Sequence, residues 1–501
     1  MPQDPFAPNG WAKLLKTRLR RWGRTCARPC RPSRWNRGRS GPDNLLVLAV
    51  DTLRYDHLGL AGYGRQTTPN IDRLGATGTN FSEAMAPAPW TLPSFASSLT
   101  GLMPCLHGAA LKGSQRNLEG TPPQRLRSAV RTLAQHLEGL GYRTAAFYSN
   151  PFFAFGLAET FQSHAYENVP AAELADMALE WVRRHAERPF CCFVLFNDPH
   201  EPTTPTKKWL RPYLEELARQ GIRPSGRQLR ALTRWGDPAA GTVALGAQSP
   251  PLTAEARQSL LIKLALYDAA VRYVDDTIGK VMDRLARWRL AERTLVTIYS
   301  DHGEEFWDHL SQAHRFAHDP RPIHGIGHGH THFQELLHVP WLATGPGVPA
   351  GVRRDEPVSL CDVAPTLLEW LGLDPLPGPQ VSLPGLAGRS QAAAPREGAS
   401  RHILAEDLAY GPDLVALRRG PWKLIAHRRG DPLALHHLVD DPGEQVDLIA
   451  DEPAMTADLA QAVLAWRRAI ADPAGAETPG GDWKDISGAV RKRLRDLGYT
   501  D

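Results

Sequence analysis

The chain has 501 residues, enough for one large domain with a smaller one attached; 42% are hydrophobic and 22% charged, which excludes a disordered or fibrous chain. Its net charge of +4 is unevenly spread. Eleven bases between Lys13 and Arg39 face Asp4 alone in the first forty residues, leaving 47 bases and 53 acids in a mildly acidic remainder.

In chain order, residues 1–42 read as a flexible basic arm. Its stretch 11–39 is either a solvated tail or a contact for an anionic surface, with Trp11, Trp22 and Trp35 suited to a membrane interface. No specific nucleic-acid recognition is expected. "RRWGR" lacks a following apolar region, so the expected location is the cytoplasm, with peripheral membrane contact through the arm. Cys26 and Cys30 in "CARPC" have the spacing of a pair or of half a metal site, without a second Cys/His pair nearby.

Four apolar runs each end in polar residues: "NLLVLAV" at Asp51, "RTAAFYS" at Asn150, "PFCCFVLF" at Asn197, Asp198 and His200, and "RTLVTIYS" at Asp301 and His302. Cys191 and Cys192 inside the third run suit buried thiols. Between them, "APWTLPSFASSLTGL" reads as a helix with Thr91 as its N-cap, Pro93 in its first turn and a Gly stop. "LRSAVRTLAQHLEGLG" reads as a helix ending at Gly141. Residues 207–258 form an insertion whose part 223–253 is expected to be irregular, and a long amphipathic helix follows over 260–288.

Strands alternating with helices predict an α/β fold. We expect a large doubly wound, mainly parallel sheet flanked by helices in a domain over 43–373. After a Pro/Gly-rich linker at 374–399, residues 400–501 are expected to form a smaller α+β subdomain. Its antiparallel strands lie in "LVALRRGPWKLIAHRR" and "LALHHLV", with a turn at "DPGEQ" and a closing helix at 453–469.

In such sheets ligands bind beyond the carboxyl ends of the strands. Asp51, Asp301 and His302 offer two carboxylates and an imidazole there, a donor set for a divalent cation such as Zn, Mn or Ca. A Thr91 hydroxyl beside that cation gains acidity, and the helix start presents N–H groups to an anion.

Nine landmarks make the reading specific. They are "LAVDTLRYDHLGLAGYG", "TTPNIDRLGATGTNFSEA", "WTLPSFASSLTGLMPCLHG", "NDPHEP", "YSDHGEEFWDH", "GHGHTHFQELLHVP", "DVAPTLLEWLG", "WKLI" and "DDPGEQVDL". In this order the chain, from about residue 43 onward, resembles the sulfatase family of the alkaline phosphatase superfamily. The resemblance implies a metal held by Asp51, Thr91, Asp301 and His302, with Thr91 at the nucleophile position. It implies that His200 meets the ester or leaving-group oxygen, and that His309, His328 and His330 contact substrate or a second cation, with Asp198 or His200 completing such a site.

The chain departs from the family at two points. Family members carry Cys or Ser in a C/S-x-P-x-R motif that is oxidised to formylglycine; here the row is Thr91-Leu92-Pro93-Ser94-Phe95, so no formylglycine is expected. Thr52 stands where many members have a second Asp, which favours Zn or Mn over Ca. Superfamily members with an unmodified Thr are typically phosphodiesterases or phosphoryl transferases. The expected function is therefore metal-dependent cleavage or transfer of a phosphoester, of phosphodiester or phosphonate type, through a covalent Thr91 intermediate. The alternatives are a sulfuric ester hydrolase using unmodified Thr and a degenerate, non-catalytic binding member. A small-molecule, lipid or glycan ester is the expected substrate. Arg54 reads equally as a phosphate contact or a structural ion pair, and His314, His318, His324, His332 and His338 have no matched role.

Overall fold

The computed structural model describes residues 42–113, 115–118, 121–234, 242, 251–310, 312, 319–320, 325–377, 387–393, 401–470 and 480–496. The basic arm with Cys26 and Cys30, most of 235–250, and His314, His318 and His324 lie outside them. Eight strands form the main sheet: β1 (Asn44–Val50), β2 (Thr79–Phe81), β3 (Arg143–Tyr148), β4 (Ser163–Tyr166), β5 (Phe190–Phe196), β6 (Thr294–Ser300), β7 (Trp341–Thr344) and β8 (Val352–Arg354). Their spatial order is β8-β2-β7-β6-β1-β5-β3-β4. Only β7 runs against its neighbours β6 and β2; every other pairing is parallel.

The four apolar runs of the sequence are the four central strands. Both faces of this layer are covered, so β1 has no polar side. Leu45, Val47 and Ala49 pack into one core with Phe95 and Leu367, while Leu46, Leu48 and Val50 pack into the other with Ile71, Leu174, Val271 and Ile278. The helices supplying those partners are α1 (Pro69–Thr77), α2 (Thr91–Thr100), α3 (Ala171–His185), α4 (Ala254–Arg287) and α5 (Val363–Trp370). Side chains of this size buried on both faces contribute roughly 1.5–3 kcal/mol each, and that is what fixes strand register. Val50 lies opposite both Phe196 and Ser300, so the ends of β5, β1 and β6 are level. Later strands lie on both sides of β1, and this switch in strand order opens the crevice that holds the site.

The smaller unit is an antiparallel sheet of β9 (His402–Glu406), β10 (Leu414–Arg419), β11 (Trp422–His427) and β12 (Pro432–His437), covered by helix α6 (Pro453–Ile470). Leu404, Leu417, Leu424 and Leu435 face Leu459, Val463 and Trp466. Among the described residues, no helix is long and apolar enough to cross a membrane.

Two local expectations need correction, and the structure adds detail to two others. Residues 126–131 are not helical; the helix is Leu133–Gly139, because Thr132 and Gln135 close a reciprocal capping box that starts it there. The insertion is less irregular than its composition suggests: Lys207–Arg219 is a helix packed on α4, and Ser225 caps a second over Gly226–Ala231. β9 adds an edge strand beyond the two runs read from sequence. "DPGEQ" forms a turn after β12, as expected, and within it Glu444 adopts φ +53°. That backbone carries the Glu444 carboxylate into the interior, onto Lys423 Nζ at 2.8 Å and the Gln334 N–H at 2.6 Å. The turn thereby ties the small unit to the large one.

Candidate metal centre and nucleophile

The level strand ends bring Asp51, from the end of β1, beside Asp301 and His302, from the end of β6. All three side chains are fully buried, and ligand atoms from the three lie within 4.8 Å of one another. His302 gives its Nδ1 proton to the Gly303 carbonyl at 2.9 Å. Its Nε2 therefore presents a lone pair, 3.5 Å from Asp51 Oδ1 and 3.4 Å from Asp301 Oδ2. Burial keeps the ring neutral, pushing its pKa down to about 3.

Asp51 Oδ1 and both Asp301 carboxylate oxygens are buried with no hydrogen-bond partner. Burial, and then the neighbouring Asp51 charge, raise the Asp301 pKa well above the usual carboxylate range. Lone pairs converging without a donor are costly unless a cation joins them. The residues present fit a divalent metal.

Thr91 is not the N-cap of α2. That position belongs to Trp90 at φ −157°, and Thr91 is the first helical residue with no capping bond from its side chain. Its hydroxyl is thereby released toward the triad: Oγ1 lies 3.4 Å from His302 Nε2 and accepts from Asn150 Nδ2 at 3.1 Å. Asn150 also donates to Asp51 Oδ2 and accepts the Phe152 N–H at 2.8 Å, which fixes its amide. Ser94 holds the helix to β6 through the Asp301 carbonyl at 2.7 Å. Gly101, at φ +71°, ends the helix as read from sequence.

Asn150 entered the sequence reading only as a strand end. The signal was its place in line with three other polar endings; its bond to Thr91 needs the fold. Replacing Asn150 with Ala is expected to lower kcat by roughly 10²-fold, as for loss of one oriented donor, with little change in KM. Steady-state kinetics on the metal-loaded variant read this directly, and an unchanged kcat would remove Asn150 from the site.

The histidines divide into two groups. His200, after β5, gives Nδ1 to the Glu201 carbonyl at 2.7 Å, and Glu201 is ion-paired with Lys263 of α4. Its ring centroid lies 4.9 Å from that of His328, which in turn lies 4.5 Å from that of His302. A row of rings thus leads outward from the triad, with His328 Nδ1 held on Glu304 at 3.1 Å. His330 and His309 are different: His330 Nε2 pairs with Glu305 and His309 Nδ1 with Glu335, both at 2.7 Å. His309 also stacks on Phe333 and reaches the Glu444 carbonyl at 3.2 Å. Its acidic neighbours outweigh burial and raise its pKa to about 9. Asp198 accepts the Ala171 N–H at 3.1 Å, and burial raises its pKa to about 7.

Other residues prove structural. Arg54 is clamped by Asp56 and Asp308 at 2.7 and 2.9 Å and by the Glu304 carbonyl at 3.0 Å. His332 and His338 are core or near-core groups, His338 stacking on Tyr55. Thr52 turns its hydroxyl back on the Asp51 carbonyl at 2.8 Å and sits at φ +57°, unusual for a β-branched residue. Tyr267 holds that backbone by donating to the Thr52 carbonyl at 2.7 Å.

The sequence profile of the Sulfatase family matches residues 43–373, well over half of the chain. The chain belongs to the Sulfatase family. Members of this family, in the alkaline phosphatase superfamily, are ester hydrolases. Among its relatives is a sulfatase of Formosa agariphila, 24% identical over 395 residues, covering 66% of this chain and 69% of that protein. The choline-sulfatase of Rhizobium meliloti is 24% identical over 478 residues, covering 81% and 84%. In fold, this sulfatase-family chain is similar to the phosphonate monoester hydrolase of Agrobacterium radiobacter, with a TM-score of 0.62 at 20% identity over 86% of this chain and 96% of that one. It is equally similar to a protein solved with its substrate D-glucosamine-2-N,6-O-disulfate, with a TM-score of 0.64 at 17% identity over 87% and 99%.

Proposed function

We propose that this sulfatase-family protein cleaves or transfers a phosphoester or phosphonate ester through a covalent intermediate on Thr91. The observation that carries the reading is the Thr91 hydroxyl itself, released from capping and turned onto the triad. Its Cβ bears a methyl group, so removing two hydrogens would give a ketone; the aldehyde of formylglycine is out of reach. A plain alkoxide-type nucleophile suits phosphorus, where a second nucleophile can attack the intermediate in turn.

Asp51, Asp301 and His302 would hold the divalent cation, with Thr91 Oγ1 beside them, and their mixed O/N set suits Zn or Mn. The cation supplies positive charge that acidifies the Thr91 hydroxyl and steadies anionic oxygens. Asn150 orients Oγ1. Once Oγ1 has released its proton to solvent, the first half-reaction bonds the Thr91 alkoxide to phosphorus while the leaving ester oxygen departs with a proton from His200 Nε2. In the second, His200 takes a proton from water or an acceptor hydroxyl, whose oxygen attacks the phosphothreonine and displaces Oγ1 as the alkoxide, ready for the next cycle. The N–H groups at the start of α2 face the transferred anion.

His328, in the row between His200 and His302, is placed to contact substrate oxygens. For His309 and His330 we propose an indirect part, since carboxylates hold their ring nitrogens: they position the 325–338 loop that carries His328. The substrate class that fits is a small-molecule, lipid or glycan ester.

The test is a matched assay of aryl phosphodiesters, aryl phosphonate monoesters and aryl sulfates with Mn²⁺ or Zn²⁺. The expected result is kcat/KM at least tenfold higher on a phosphorus ester than on the sulfate of the same phenol. Turnover of sulfate alone would establish sulfuric ester hydrolysis with an unmodified Thr. Absence of turnover together with absence of bound metal would establish a non-catalytic member.

A further inference from the structure

Away from the triad, a cavity of about 380 Å³ opens between residues 104–127 and the C-terminal unit. That volume is in the range of small-ligand sites. Lys112, Arg116, Arg127 and Arg428 line it together with Glu406, Asp407 and Asp413.

The acids leave part of Arg116 without a partner. Arg428 is held by Glu406 at 2.7 Å and Asp413 at 2.9 Å. Arg116 Nη2 is ion-paired with Asp413 at 2.9 Å, yet its Nε and Nη1 are buried with no hydrogen-bond partner, on a side chain only 5% exposed. Its Nε stands 3.6 Å from Asp407, beyond hydrogen-bond reach. Asp407 contributes less than a full negative charge near neutral pH, because burial, opposed in part by Arg116, pushes its pKa up to about 7. Two unpartnered donors of a buried guanidinium on the wall of a polar cavity call for an anionic acceptor.

We propose that this cavity is a second binding site, taking a small ligand that bears a tetrahedral oxyanion, phosphate or sulfate, on the unpartnered donors of Arg116. Exposed Lys112 and half-buried Arg127 add positive charge at the same wall. The ligand is either the free ion or a monoester. The site stands whichever ester Thr91 attacks.

The wall is tied to the catalytic centre. Asp407 adopts φ +66°, and its carbonyl accepts from Trp90 Nε1 at 2.7 Å, one residue before Thr91. Further along, the Ala409 and Tyr410 N–H groups donate to the Gly329 carbonyl at 2.8 and 2.9 Å, between His328 and His330. An anion that draws Arg116 from Asp407 acts on a segment holding both sides of the site, so occupancy and catalysis are coupled.

Calorimetric titration tests this in full-length protein carrying Thr91→Ala and Asp51→Asn, where the catalytic centre is disabled. Inorganic phosphate, inorganic sulfate and glycerol 3-phosphate are the probes. Saturable binding with Kd below roughly 1 mM is expected for at least one of them, weakened at least tenfold by adding Arg116→Met. Tighter binding of glycerol 3-phosphate identifies a monoester as the ligand; tighter binding of an inorganic ion identifies the free ion. Should the Arg116 variant fail to fold, the pair Lys112→Gln and Arg127→Gln must weaken the same binding at least threefold. No saturable binding, or binding indifferent to these substitutions, overturns the proposal.

Discussion

Replacing Thr91 with Ala is expected to lower kcat by roughly 10³-fold or more on whichever ester the enzyme prefers, while leaving the fold and the metal in place. The size follows from the role: if Oγ1 forms the covalent bond, nothing else at the start of α2 substitutes for it. Residual turnover would come from the oriented site acting on water. The stability control is favourable, because Thr91 makes no capping bond and its loss removes only the hydroxyl contacts to Asn150 and His302. Thr91→Ser keeps the hydroxyl and is expected to recover part of the activity. Acid quench of the wild-type reaction, followed by peptide mass analysis, should show a phosphoryl adduct on the peptide carrying Thr91, absent from Thr91→Ala. Full activity in Thr91→Ala would falsify the mechanism.

The second large effect concerns Asp301, and its sign depends on the metal. With metal present, Asp301→Asn is expected to abolish tight divalent binding and activity together. Without metal, the same substitution is expected to stabilise the fold near neutral pH by on the order of 1–3 kcal/mol, because the amide stays neutral beside Asp51 without having to take up a proton. Burial and the Asp51 charge raise the Asp301 pKa in the folded protein. The folded chain then holds a proton that the unfolded chain has released. This group's contribution to stability is complete below the unfolded carboxylate pKa of about 4 and is lost as pH rises toward the folded value. Metal-free wild type should therefore lose Tm relative to Asp301→Asn as pH rises from 5 to 8. A divalent cation at a hundred times its Kd should restore about 2.7 kcal/mol to the wild type alone. Parallel Tm profiles for the two metal-free proteins, or equal stabilisation of both by metal, would contradict the assignment of Asp301 as a ligand.

Much of this protein was legible in its sequence. The four central strands were marked by apolar runs that no amphipathic helix would carry, since a layer covered on both faces needs no polar side. Their polar endings located the crevice, and Asp51, Thr91, Asp301 and His302 could be singled out because each lies at the end of a strand or the start of a helix, where side chains escape the core. The fold class and the family were likewise written in local patterns and in the order of motifs.

What the sequence did not contain was the result of competition between distant groups. Thr91 had the look of an N-cap, and only the tertiary packing, with Trp90 extended and Asn150 brought in from another strand, frees its hydroxyl. The helix before β3 begins later than its apolar spacing suggests, because that spacing extends upstream of Thr132, where the capping box starts the helix. His309 and His330 share a histidine-rich segment with His328, yet Glu335 and Glu305 claim their nitrogens, a choice made by burial beside those carboxylates. The Glu444 turn, too, could be read as a turn but not as a tether, since its target Lys423 is chosen by the docking of two units. The opening residues of α2 show the division: sequence alone determined that a hydroxyl stands where a helix begins, and the tertiary structure decided that this hydroxyl meets His302 beside the unpartnered oxygens of Asp51 and Asp301, because only level strand ends can bring them together.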